Sequence, residues 1–297
     1  MLFRSLGLKI THASVFIGVG QDNGAGQVGF TVADGTLDLA VFKTHEAAPR
    51  VYTGLQASLG QAALPGVQGV QLIATHLSVK VNQVRAPTAG ATPLDWRQAG
   101  GLADALNVSR VAPQLDSSDR VEVGGSVVFS IAETVFGSAT ALVTRTGDVS
   151  GVDDPDDAGT VRLKGDLLAV HLSNASVFVG SGAHLDLNSA VVTLPDPGNR
   201  SVVGFRLDNA TLDLGVFYAR ESSPDGVQDY VPLDQARKYT GIEAGLGVAA
   251  LQGVSGIQLK TGSLTLIVNT TSVPNGKLID WTVSSLDRKS TRLNSSH

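Results

Sequence analysis

The stretch GVDDPDDAGT places four carboxylates, Asp153, Asp154, Asp156 and Asp157, in one short turn broken by Pro155. Hard cations bind through several oxygen ligands, and a polar loop between strands can supply them. Asp153, Asp154, Asp156 and Asp157 are therefore the candidate metal ligands, with Ca2+ as the candidate cofactor. Their spacing matches neither the helix-flanked calcium loop nor the glycine-rich nonapeptide of calcium-binding β-rolls. A solvated acidic turn is the competing reading.

A second constellation is the Asp-Trp pair, present as Asp95-Trp96 and again as Asp280-Trp281. An indole face suits a pyranose ring, which makes these positions candidates for saccharide recognition. The competing role for such a tryptophan is to seal the end of a core.

Catalytic patterns are absent from the sequence. It has no GxSxG, P-loop or HExxH, and with no cysteine it has no thiolate chemistry and no disulfides. The glycines of GVGQDNGAGQVG follow a strand pattern and lead into another strand, whereas a phosphate-binding glycine loop must open a helix. Asp38 and Asp213 recur at matching positions, but neither has a visible partner for general acid work. None of the histidines outside the C-terminal tail recurs. His12 aligns with Asn174, His45 with Arg220, His76 with Ser263, His171 with Lys9 and His184 with Asp22, so all five read as surface residues. The expectation is a protein that is not an enzyme.

The elements behind these residues come from internal repetition. ASVFIG at 13–18 returns as ASVFVG at 175–180, and VGFTVADGTLDLAVF at 28–42 as VGFRLDNATLDLGVF at 203–217. VYTGLQASLG at 51–60 returns as KYTGIEAGLG at 238–247. The offset drifts between blocks and is constant within each, which places insertions in loops. Apolar residues alternate within the blocks, as in Val28, Phe30 and Val32, then Leu37, Leu39 and Val41. That alternation is the period of a β-strand. Its parity changes at Asp34-Gly35, where the second copy has Asn209-Ala210. Alanine is penalised at the positive φ of a tight hairpin turn, so a bulge or corner is expected there.

With 34 glycines, 42% hydrophobic and 16% charged residues, the chain reads as a folded all-β protein. Its repeats are expected to form either an elongated β-solenoid or tandem β-sandwiches. Short helices are possible near LDWRQAGGLADAL and PLDQARKY. The first unit spans 1–165 and the second, truncated, 166–286. Residues 287–297, DRKSTRLNSSH, match the translation of a widely used DNA sequencing adapter and are set aside as an artefactual tail. The chain is accordingly expected to be a fragment of a longer bacterial protein. Without the tail's one acid and three bases, the 22 basic and 27 acidic residues become 19 and 26, a net charge of −7. That balance disfavours nucleic acid as a partner, and no apolar run is long enough for a membrane-spanning helix.

The pattern ASVFIG…VGFTVADGTLDLAVF…YTGLQASLG…GVQGVQLIATHLSVKVN…LDW, covering residues 5–286, resembles the units of very large multi-repeat secreted bacterial surface proteins. The resemblance implies an extracellular or cell-surface setting and a structural role as stalk or scaffold for adhesion. The implied partners are neighbouring repeats and cell-surface glycans or proteins. It brings no catalytic residue. The alternatives are a calcium- or saccharide-binding β module and a β-groove lipid carrier, the latter raised by a mean hydropathy of +0.14. A groove needs its apolar surface open. The alternate positions Ser78, Lys80 and Asn82, with Thr265, Ile267 and Asn269, are mostly polar, so the single apolar face is expected to serve as the core.

Overall fold

A computed structural model describes residues 4–19, 28–86, 91–97, 113–117, 120–156, 162–195, 202–220, 236–254 and 260–282. The all-β expectation holds, and the described residues contain no helix. Leu94–Arg97 are irregular and Arg237–Tyr239 lie in a strand; the rest of the two helix candidates falls largely outside the described residues. No helix among the described residues is long and apolar enough to cross a membrane.

The strands are β1 (Arg4–Val19), β2 (Val28–Lys43), β3 (Val51–Ala63), β4 (Val70–Arg85), β5 (Arg120–Ile131), β6 (Val135–Asp153) and β7 (Arg162–Gly180). After the short hairpin β8 (His184–Asp186) and β9 (Val191–Thr193) come β10 (Gly204–Arg220), β11 (Arg237–Leu246), β12 (Val248–Gln252), β13 (Lys260–Thr261) and β14 (Leu264–Thr271). All but β8 and β9 join in one antiparallel sheet ordered β1-β2-β3-β4-β5-β6-β7-β10-β11-β14, which does not close into a barrel. Valine, threonine and alternating apolar residues favour these extended segments, and antiparallel connections place each of β2 to β7 beside its predecessor, whereas β10 pairs with β7 and β14 with β11.

The recurring blocks pair identically. Ile10–Leu37–Ala57–Val79 cross β1 to β4, and the corresponding Leu172–Leu212–Ala244–Leu266 cross β7, β10, β11 and β14. The sheet runs without a break through the β6–β7 pairing between them.

Asp34 lies within the continuous strand β2, at φ 55, and the chain does not reverse there. Each block carries the same device. His12, Asp34 and His76 in the first, and Asn174 and Asn209 in the second, have φ between 51 and 55 beside register shifts or strand bends. His, Asp and Asn are the non-glycine residues most tolerant of this left-handed region. The neighbouring strands place glycine at the same level. A Cβ on Gly60 would sit 3.3 Å from that of Asp34, and one on Gly247 3.0 Å from that of Asn209. One extra residue shifts the alternation by one, and the apolar residues shift with it: Leu6, Leu8 and Ile10 precede His12, and Val15, Ile17 and Val19 follow it. The bulges thus keep apolar side chains on one face along the whole strand.

The sheet has two unlike faces, and the buried core lies on the one the sequence reading does not expect. Ala40, Phe42 and Tyr52 are covered by Trp96 and Leu115. Leu163, Leu167, Phe217 and Tyr239 are covered by Ile279 and Trp281. Phe136 and Phe178 lie beneath Val202 and the β8–β9 hairpin. All belong to the face that also carries the cross-strand ion pairs Lys9–Asp38, Lys80–Glu122 and His171–Asp213. The mainly apolar face, expected to be the core, has no buried cluster upon it among the described residues, and it also carries the Arg145–Asp166 ion pair at 3.2 Å. Loops with apolar anchors cap patches of the mixed face instead.

Candidate functional site

The acidic turn is organised by a cation from strand β11. Asp154 is buried, and Arg237 grips it with two guanidinium nitrogens, Nη2 to Oδ2 at 2.8 Å and Nη1 to Oδ1 at 3.4 Å. Asp154 Oδ1 also accepts from the backbone N–H of Asp156 at 3.0 Å. Arg237 Nη1 stands 3.5 Å from Asp156 Oδ2, and Asp156 Oδ1 accepts from the Lys277 backbone N–H at 3.4 Å. Asp153 ends strand β6, its backbone paired with that of Arg162. Asp157 lies outside the described residues. Oxygens that a cation would need are thus engaged by a guanidinium, and the described residues contain no group of three or more acidic or histidine side chains arranged to hold a metal.

The Asp-Trp sites are built as locks. The Trp96 indole lies over Gly54, where an added Cβ would be 2.5 Å from Cε2. Trp281 lies over Gly241 and Gly215, where an added Cβ would be 2.6 Å from the ring at either position. Absent side chains at these glycines make the seat for the indole. Trp96 Nε1 donates to Asn82 Oδ1 at 3.0 Å, and Trp281 Nε1 donates to Asn269 Oδ1 at 3.1 Å. The Asn82 amide donates in turn to the Leu94 and Asp116 carbonyls, and that of Asn269 to the Ile279 carbonyl at 3.0 Å. Trp96 is only 3% exposed, so no sugar ring can stack on it. The aspartates fix the turns around the indoles. Asp95 binds the Arg97 side chain, a hydrogen bond that holds this guanidinium's pKa above its ordinary value. Asp280 accepts from the Thr282 hydroxyl at 2.6 Å and its backbone N–H at 2.8 Å, which lowers the carboxyl pKa. Asn82 and Asn269 are recognisable in sequence only as recurring polar positions.

Asp38 and Asp213 have partners that sequence does not reveal. Lys9 Nζ reaches Asp38 at 2.7 Å, and at the equivalent place His171 Nδ1 reaches Asp213 at 2.6 Å. His171 is therefore not the surface residue the sequence reading expects, its side chain being 16% exposed. His12, His45, His76 and His184 are exposed.

The candidate site with the greatest extent is the apolar face itself. Direct cross-strand neighbours form the row Ile10–Leu37–Ala57–Val79–Val123–Val143–Val170–Leu214–Ile242–Val268, without a polar residue. A parallel row contains Leu8, Leu39, Leu55, Val81 and Val121 and then meets Arg145 on β6. Beyond the bulges, Val70–Ile131–Val135–Val179–Phe205–Leu251 forms another. Nine strand spacings of ~4.8 Å give the first row a length of roughly 43 Å. The three rows, of ten, five and six residues at ~4.8 by ~6.8 Å each, therefore cover roughly 700 Å², beyond the few hundred that an ordinary monomer leaves bare. Its members remain accessible, including Leu8 at 42%, Val123 at 39% and Leu266 at 56%.

No family model, curated protein or solved structure matches the chain.

Proposed function

We propose that the protein is a non-enzymatic carrier of lipid acyl chains, which lie across the bare face of the sheet. The observation that carries this reading is the ten-residue apolar row, uncovered among the described residues from β1 to β14. Water against so large an apolar area is costly, and a ligand that replaces it gains about 0.8 kcal/mol for each methylene fully buried. A chain lying on one open face is buried on one side only, so roughly half that value applies. Ten methylenes then contribute about 4 kcal/mol, which corresponds to a millimolar dissociation constant. Useful affinity would come from longer or paired chains, and acyl chains suit a central row without a polar residue because they ask for no specific hydrogen bond.

The experiment is titration with a dansyl-labelled phospholipid that bears two long acyl chains, read by the rise and blue shift of dansyl emission. The double variant Val79→Lys/Val170→Lys puts two charges in the middle of the row and should abolish the signal. Lys80→Gln, on the opposite face, should leave it intact. A fully folded chain that gives no dansyl response, or an equal response from the face variant, sinks the reading.

A structural role as stalk or scaffold in an extracellular bacterial surface protein is the second reading. It is favoured by a separate observation, the identical register of the two recurring blocks within one continuous sheet, since such a layer lengthens by adding units. Small-angle scattering distinguishes an elongated particle, which this role requires, from a compact one.

A further inference from the structure

We infer that the two outer edges of the sheet bind each other between copies of this chain, β14 of one molecule adding to β1 of the next in antiparallel fashion. The argument comes from comparing each edge with its counterpart inside the molecule. β1 corresponds to β7: both begin a four-strand block, and the β1–β2 register matches β7–β10 residue for residue. The edge that β1 leaves without a strand among the described residues is the edge on which β7 carries β6, through pairs running from Val135↔Val179 to Asp153↔Arg162. β14 corresponds to β4, since β11–β14 repeats the β3–β4 register, and β4 carries β5 at the equivalent edge. Both terminal edges therefore have a geometry that accepts a neighbouring strand elsewhere in the same sheet.

Neither edge is strongly protected, the one lysine inside β1, Lys9, being drawn back to Asp38 of β2 at 2.7 Å. β14, Leu264–Thr271, contains no charge and no proline, and Leu264 and Leu266 are more than half exposed. β1 is sixteen residues long with exposed Leu6, Val15, Ile17 and Val19. Its bulge at His12 is no obstacle, because the equivalent bulge at Asn174 leaves β7 paired with β6. Strand directions alternate along the sheet, so β14 and a following β1 meet antiparallel, and the apolar residues of both fall on one side when the register is even. The contact joins two different edges, so it repeats as an open chain of molecules. It stands independently of acyl-chain binding.

The test is light scattering over a concentration series on the full chain. The wild type should rise above the 30.6 kDa of one chain as concentration increases. Variant one carries Leu8→Lys and Ile10→Lys in β1, and variant two carries Leu266→Glu and Val268→Glu in β14. Each alone should remain a single chain, with β-sheet circular dichroism unchanged. Mixed, they should associate again, because the unmodified β14 of variant one meets the unmodified β1 of variant two; the Lys–Glu junction should join these pairs end to end at low salt but not in ~1 M salt, where screening acts within about 3 Å. A wild type that stays a single chain overturns the proposal. So does a self-associating variant two, which would mean β1 pairing with β1, and so does association that persists in both variants, which would mean contact through the open faces.

Discussion

Replacing Asn82 by alanine is predicted to destabilise the chain more than the same replacement at its counterpart Asn269. The amide is fully buried and makes three hydrogen bonds, accepting one from Trp96 Nε1 and donating to two carbonyls. Without it the indole N–H of a 3% exposed tryptophan has lost its acceptor, at a cost of about 1–3 kcal/mol. Leu94 and Asp116 are half-buried residues whose carbonyls can turn toward water, so each adds only about 0.5 kcal/mol. The total is about 2–4 kcal/mol, a large fraction of the stability of an ordinary domain. The twin site supplies an internal control. Asn269 and Trp281 are only partly buried and the amide donates to one carbonyl, so Asn269→Ala should cost about 1 kcal/mol. The chain has two tryptophans, which makes each lock separately visible. In a Trp281→Phe background the urea transition of Trp96 emission should move down by ~1 M when Asn82 is removed. The Asn269 variant, read through Trp281 in a Trp96→Phe background, should move by less than half as much. Equal shifts at the two sites, or none for Asn82→Ala, would refute the assignment of Asn82 as the buried anchor.

Three further outcomes follow from particular contacts. Asn209→Val forces a β-branched residue to φ 53 and should cost about 1–2 kcal/mol in a thermal melt, whereas Asn209→Gly should be neutral or stabilising. Arg237→Met leaves the buried Asp154 carboxylate without its guanidinium and should destabilise by about 3 kcal/mol in urea; recovery of that loss on adding Ca2+ would show that the acidic turn can hold a cation. The Asp280 pKa is lowered by the Thr282 hydroxyl and backbone N–H, so its contribution is present above the ordinary carboxylate range and is lost as pH falls through the lowered value. Trp281 emission should therefore change on acidification, and Thr282→Val should move that change to higher pH.

Strand identity and the bulge at Asp34 are legible in the sequence because both are one-dimensional. Alternation at Leu37, Leu39 and Val41 fixes an extended segment, and a parity slip opposite Asn209-Ala210 leaves a bulge as the economical solution. The arrangement of the strands is not legible, since the same alternation serves a solenoid rung, a sandwich strand or an open layer. Nor does it say which face is covered. That depends on where Trp96 and Trp281 fold back, and the decisive signal is the glycines at 54, 215 and 241, whose lack of a side chain seats the rings. The partner of the acidic turn is hidden by distance, Arg237 standing 83 residues from Asp154. Conversely, the His12-to-Asn174 exchange that looks like loss of a functional histidine is a substitution between two residue types that tolerate the same backbone conformation.

The aligned bulges also constrain how such a gene can change. Four adjacent strands bend at one level, so losing or gaining a single codon within any one of them would set it out of step with both neighbours and turn its oily side chains over. Length changes are harmless only between strands, and that is where the spacing of the matching blocks drifts. Copying the entire four-strand block in one event avoids the problem, because every bend is inherited together with the neighbours that accommodate it.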